Sequence, residues 1–221
     1  YRSNLILDFI LKDLEKENIF IVDEQAIPKD SISYIESFFL DKIQPKLKIV
    51  LLNEKDDFPQ LSESSCFLII KVESKNKNLN YAIIQFPDEF ERFIVIKNQD
   101  VKYVIMIDDI IRYHLFEIFK IFNPLNISAN MLNFSRDAEL DFDDDISKSY
   151  LEKISQSVKD RLKGDPLRFV YDKEIDPNTL KFLLEKMNIN SEIDSVIPGG
   201  KYHNFPPGIT PVSYTHLRAH E

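Results

Sequence analysis

The chain has one cysteine, no tryptophan and only four glycines in 221 residues. A single thiol excludes an intrachain disulfide and a cysteine-ligated zinc site. Cys66 precedes the apolar run Phe67-Leu68-Ile69-Ile70 and reads as a small buried hydrophobe in a reducing cytoplasm. So few glycines argue against a glycine-rich nucleotide cradle. Excess positive charge is also missing, since 28 Lys and Arg face 37 Asp and Glu, a net charge of −9. That balance argues against a nucleic-acid binder, which usually carries a basic face, and against a main groove for any polyanion. No apolar run approaches the roughly 18 residues that span a bilayer. No basic start leads into an apolar run and a small-residue cleavage site, so no signal peptide is read.

What is present suits a globular domain. The apolar share of 43% and charged share of 29% are ordinary for one. The length allows one large domain or two small ones and a sizeable core. Ile6, Phe9, Ile10 and Leu14 repeat at helical spacing, predicting a helix from about Leu5 to Lys16. Ile19 to Val22 reads as a strand. Asp30 or Ser31 is placed to cap a helix whose apolar face is Ile35, Phe38, Phe39 and Ile43, with Pro45 ending it. Lys48 to Leu52 is a strand candidate.

Cys66–Glu73, Tyr81–Phe86 and Phe93–Lys97 are strand-length runs of Ile, Val, Phe and Tyr. The first two predict a hairpin and the third its continuation as a meander. A short strand is expected near Tyr103 to Ile105. Asp108 and Asp109 then open the clearest helix, with Ile107, Ile110, Ile111, Leu115, Ile118, Phe119 and Phe122 on its apolar side. Both aspartates complement the helix dipole, and Asn123-Pro124 stops the helix. Ile127 to Phe134 reads as one more strand. Helices and strands mix without strict alternation, so the expected fold is α+β: a mixed β-sheet with packed helices.

The stretch from Met131 to Phe205 carries the most specific signatures. Ser135-Arg136-Asp137-Ala138-Glu139 is a polar turn, and the acidic cluster Asp141-Phe142-Asp143-Asp144-Asp145 follows. A helix is expected from Ile146 to Lys163, a strand over Leu167 to Tyr171, and a second helix from Pro177 to Met187. The segment closes on Ile197-Pro198-Gly199-Gly200-Lys201-Tyr202-His203-Asn204-Phe205. That order of signatures resembles the middle, or head, domain of bacterial polyphosphate kinase. The matches are the Arg136–Glu139 turn, the Pro166–Tyr171 strand and the Ile197–Phe205 turn, within a likeness that runs from about Leu5 to Phe205.

Asp141, Asp143, Asp145 and Glu152 fit positions one, three, five and twelve of a calcium loop, but Ile146 stands where the loop needs glycine. Helix capping is the favoured reading of that cluster. Gly199-Gly200-Lys201 fails the phosphate-loop pattern, because Ser195 and Tyr202 occupy positions that need Gly and Ser or Thr. A plain turn is expected there. His114 reads as a core or interface histidine, and His203 has no partner in sequence that makes a triad or metal set. Lys148, Lys153, Lys159, Arg161 and Lys163, with Arg168, read as a solvated face rather than an edge of a polyphosphate path or a subunit contact. No catalytic, cofactor-binding or metal residue is assigned.

The resemblance implies more. A polyphosphate kinase transfers the terminal phosphate of ATP to inorganic polyphosphate, reversibly and with magnesium, through a phosphorylated histidine. In that family the histidines lie in C-terminal domains, and the middle domain supports dimerisation and frames a tunnel entrance. This chain is therefore expected to be a piece of such an enzyme, a view its start at Tyr1 favours. It would contact the remaining domains of the same polypeptide and a second copy. No tight binding of ATP or Mg2+ to this piece is expected. The implied location is the cytoplasm, with peripheral membrane association of the whole enzyme left open. The expected domain runs over 1–205, with the end of a helical N-terminal domain at 1–16. Pro206 to Thr210 depart from the family and Pro211 to Glu221 resemble sequencing-adapter read-through, so 206–221 are expected to be a disordered, non-native tail; His216 and His220 fall in it. The other reading is a stand-alone acidic α+β interaction domain without enzymatic activity.

Overall fold

The computed structural model describes residues 10–53, 57–59, 61, 66–76, 78–86, 90–136, 166–189 and 195–201. The acidic cluster, the helix expected over 146–163, His203 and the tail at 206–221 lie outside the described residues. The chain divides into two compact units, Tyr1–Leu51 with Ile70–Ala129, and Leu52–Ile69 with Asn130–Glu221. Nine strands form two sheets among the described residues, in the orders β1-β6-β5 and β2-β4-β3-β7-β8-β9. These are β1 Ile19–Val22, β2 Lys48–Leu52, β3 Phe67–Ser74, β4 Leu79–Gln85, β5 Phe93–Asn98, β6 Val101–Met106, β7 Pro124–Arg136, β8 Pro166–Asp172 and β9 Ser195–Gly199. The α+β expectation, mixed sheets with packed helices, holds.

In the first unit a helix over 10–16 (α1) gives way at Asn18, which takes the left-handed φ of 57° that asparagine tolerates. β1 then pairs parallel with β6, and β6 pairs antiparallel with β5. The expected meander from β4 into β5 is therefore corrected: β5 belongs to the other sheet. The cause is local. Only Gln99 and Asp100 separate the paired ends Asn98 and Val101, and Gln99 adopts the positive φ of 52° that a two-residue hairpin requires. Closing so short a loop loses less entropy than reaching back to β4.

The next helical stretch is stepped. A 3-10 turn at Lys29–Ser31 leads into α2, Ile32–Phe38, then a π-helical turn at Phe39–Ile43 and a 3-10 turn at Gln44–Lys46 that contains Pro45. Ile35, Phe39 and Ile43 are completely buried, so the predicted apolar face is real. The predicted side-chain cap is not. Ser31 already has helical dihedrals, φ −99° and ψ −11°, because the 3-10 turn precedes it, and it makes no capping hydrogen bond.

The long helix expected from Ile107 to Phe122 is broken into α3 (Ile107–Tyr113), α4 (Leu115–Ile118) and a 3-10 turn at Lys120–Phe122. His114 causes the break. Its Nδ1 donates to the Ile110 carbonyl at 2.8 Å, the acceptor its own backbone N–H would use in a continuous helix. That N–H turns instead to Ile111 at 3.1 Å. Asn123, with φ 50° and ψ 56°, ends the stretch before Pro124 as expected.

In the second unit Phe67 of β3 stacks on Phe134 of β7 at 5.2 Å. β7 pairs antiparallel with β8, with a register shift at Ser135/Arg136, and β8 pairs parallel with β9. Parallel neighbours need a crossover, and α5 (Pro177–Lys186) supplies it. Asp176 caps α5, accepting from the Thr179 backbone N–H at 3.1 Å and its hydroxyl at 3.0 Å, with Pro177 in the first turn. Phe169, Ile175, Leu183 and Ile189 form the apolar centre.

Candidate functional site

The densest polar constellation among the described residues lies in the first unit, where α3 begins. Asp108, Asp109 and Arg112 stand at i, i+1 and i+4, so one helical turn brings the guanidinium onto both carboxylates. Arg112 Nη1 donates to Asp108 Oδ2 at 2.9 Å and to Asp109 Oδ1 at 2.8 Å. Its Nε reaches the Ala129 carbonyl of β7 at 3.5 Å. Arg92, just before β5, approaches the other Asp108 oxygen at 3.6 Å. The Arg92 carbonyl also accepts from the Ile107 N–H at 2.9 Å, which fixes the loop against the helix start.

All four side chains are buried; Asp108 is 0% exposed and even Arg112 only 9%. Two carboxylates are thus matched by two guanidiniums out of water. Burial alone would lower the Arg112 pKa, but Asp108 and Asp109, the Asp108 hydrogen bond and the charge of Glu24 together raise it above its ordinary value. A guanidinium so held stays charged at every accessible pH and transfers no proton. The cluster therefore has the chemistry of a structural clamp.

The sequence reading gave Asp108 and Asp109 only a dipole role. They do sit in the first turn of α3. Their pairing with Arg112 was legible as an i, i+3 and i, i+4 spacing. Arg92, distant in sequence, carried no such signal.

The other candidates fall apart in space or prove structural. His114 is a buried core residue, stacked on Phe39 with ring centroids 3.9 Å apart. Because a carbonyl only accepts, the Ile110 contact fixes the ring proton on Nδ1. Burial pushes the His114 ring below its ordinary pKa; the Ile110 hydrogen bond and the charges of Glu36 and Glu117 oppose that shift without cancelling it. Gly199 ends β9, its carbonyl accepting from the Lys173 N–H at 3.0 Å, and Lys201 follows in a turn, as the plain reading of this glycine pair expects. Cys66 is buried, and Arg168 is exposed on β8. Asp172, buried at the end of β8, accepts from the Glu174 N–H at 3.1 Å and from Asn130 at 3.4 Å, which shapes the turn into α5. Among the described residues no group of three His, Cys, Asp or Glu side chains is placed to hold a metal ion.

A sequence model of the polyphosphate kinase middle domain matches residues 31–207. The chain belongs to that family. It is similar to the polyphosphate kinase of Vibrio parahaemolyticus, with 33% identity over 202 residues, 89% of this chain and 29% of the relative. The polyphosphate kinase of Escherichia coli K12 is 30% identical over 202 residues, with the same coverage. The chain thus spans about 29% of the length of these curated relatives. The crystal structure of polyphosphate kinase from Porphyromonas gingivalis shares the fold, with a TM-score of 0.70 at 22% identity, over 95% of this chain and 30% of that one. The buried clamp, the stepped α2 region and the β8–α5–β9 crossover are thus features of a polyphosphate kinase middle domain. No helix among the described residues is long and apolar enough to cross a membrane.

Proposed function

We propose that this chain serves as the middle domain of a polyphosphate kinase polypeptide, which transfers the terminal phosphate of ATP to inorganic polyphosphate, reversibly and with magnesium. In this reading the chain is scaffold: it contacts the other domains of the same polypeptide and a second copy, in the cytoplasm. The phosphorylated histidine belongs to another part of that polypeptide. The single observation that carries the reading is the family match over residues 31–207.

The geometry supports the scaffold role. In this reading ATP and magnesium are held by other parts of that polypeptide. The guanidiniums of Arg92 and Arg112 are buried and face Asp108 and Asp109, so this cluster is not open to a phosphate. His114 is buried with its Nδ1 proton committed to a backbone carbonyl, so it is no nucleophile for a phosphoryl group.

The test is to incubate the purified 221-residue chain with labelled ATP and magnesium, beside a complete polyphosphate kinase. The chain alone is expected to make no labelled polymer and to carry no acid-labile phosphate, while the complete enzyme does both. Either product from the chain alone, with contaminating kinase excluded, overturns the division of labour.

A further inference from the structure

β1, β6 and β5 form a sheet whose two faces differ. Successive residues of a strand point to opposite faces, and the register sorts them. Phe20, Val22, Tyr103, Ile105, Ile94 and Ile96 share one face, on which Ile105 and Ile96 are buried. On the other face Ile21 stands beside Val104 and Val104 beside Val95, an apolar row across all three strands. Both ends of the row are open, Ile21 by 42% and Val95 by 48%. The next row on that face is Ile19, Lys102 and Lys97, and both lysines are exposed.

Charge and dimensions single out what covers this face. Lys97 and Lys102 lie directly opposite each other, where like charges destabilise a strand pair. The three strands contain no acidic residue, in a chain of net charge −9. Neither lysine makes an ion pair among the described residues. A carboxylate laid over the pair relieves the repulsion. The apolar row beside it needs an apolar side on the same ligand, which a bare anion lacks. Strands about 4.8 Å apart put the outer two about 10 Å from each other, the width of one α-helix. The two rows and their margins cover on the order of 200 Å2, far below the roughly 800 Å2 per partner of a stable complex between free proteins. A helix tethered in the same polypeptide meets the face at a high effective concentration and needs no larger area. This chain spans about 29% of its curated relatives, so most of such a polypeptide lies outside it.

We infer that the open face of the β1-β6-β5 sheet seats one acidic amphipathic helix from another part of the same polypeptide. The apolar stripe of that helix lies on Ile21, Val104 and Val95, and its carboxylates lie over Lys97 and Lys102. This rests on the domain-contact reading above and assigns it a surface and a partner chemistry: apolar residues at helical spacing, with Asp or Glu along one flank.

Zero-length carbodiimide cross-linking of the complete polyphosphate kinase that carries this domain tests it, because the reagent joins an amine only to a carboxylate in contact with it. Lys97 or Lys102 is expected to link to Asp or Glu residues three or four apart, in a segment outside residues 1–221. Ile21→Gln with Val95→Gln, at exposed positions of the same complete protein, is expected to remove those links. The change is also expected to speed acetylation of Lys97 and Lys102 by about tenfold, since a covered face opens only in a minor state. Mixing isotopically light and heavy copies separates links within one polypeptide from links between two. Links to a second copy, or to a carboxylate of the 221-residue chain itself, overturn the helix as occupant. Lysines that link to nothing and acetylate equally fast in both proteins overturn the site. Labelled polymer made by the chain alone would strike the division of labour proposed above, and the cross-linking result does not depend on it.

Discussion

Among the described residues, α3 and α5 both carry aspartate at their start, and they use it in opposite ways. In the second unit Asp176 caps α5 from outside, binding the Thr179 N–H and hydroxyl within three residues of itself. In the first unit Asp108 and Asp109 lie inside the first turn of α3, are buried, and are held by Arg112 and, for Asp108, Arg92. The cap of α3 itself, Met106, offers no side-chain hydrogen bond. The first arrangement is local and half in water; its net contribution is that of one good cap. The second gains a large attraction in a poorly screened interior, but only while every partner is present. The comparison separates two kinds of stability, one tolerant of change and one brittle.

The sharpest way to break the comparison is to remove one member of the buried set. Arg112→Met takes the shared guanidinium from two buried carboxylates and is expected to destabilise the protein by about 3–5 kcal/mol, read by urea unfolding. Asp176→Ala removes a helix cap and is expected to lower stability by about 0.5–2 kcal/mol in the same assay. Equal losses from the two changes would erase the distinction.

A third test uses pH. The folded His114 pKa lies below its unfolded value, so the unfolded chain takes up the proton first as pH falls. The stability tied to neutral His114 is complete above about pH 6.5 and is lost as pH drops below that value toward the folded pKa. His114→Gln is expected to flatten that part of the pH–stability curve; a wild-type slope that persists in the variant would assign it to other groups. The smallest effect belongs to an exposed pair on α5, Lys181 and Glu185 at 3.8 Å. Lys181→Ala is expected to change stability by no more than about 0.5 kcal/mol.

The same contrast explains what could be read in advance. Signals carried by neighbours were legible. Asn123-Pro124 stops a helix because of what those two residues are, and Pro166–Tyr171 is a strand both by composition and by family likeness. β5 was expected in the wrong sheet because a strand does not announce its partner; Gln99-Asp100 decides it, and glutamine is not a usual choice at a positive-φ hairpin position. The break at His114 was hidden for a related reason. Apolar periodicity continues straight through it, while the ring N–H that displaces the backbone bond does not show in a pattern of apolar residues. Of the candidate site, the Asp–Arg spacing on α3 was visible. Its burial and Arg92 were not, since both come from tertiary packing.

β3 and β7 have a further consequence for how the molecule is made. Each strand begins in one unit and finishes in the other, with the changes at Ile69/Ile70 and at Ala129/Asn130. A ribosome delivers the chain from the N-terminus, at roughly 5–20 residues per second. The first unit has all its sequence once residue 129 is made. At that moment Phe67, Leu68 and Ile69, fully apolar and destined for burial, still wait for β7 to be completed. Phe134, the ring that stacks on Phe67, arrives only five residues later, a delay of about a second at most at that pace. Any pause in translation before Asn130–Phe134 emerge from the ribosome would prolong the time for which Phe67, Leu68 and Ile69 lack the strand that covers them.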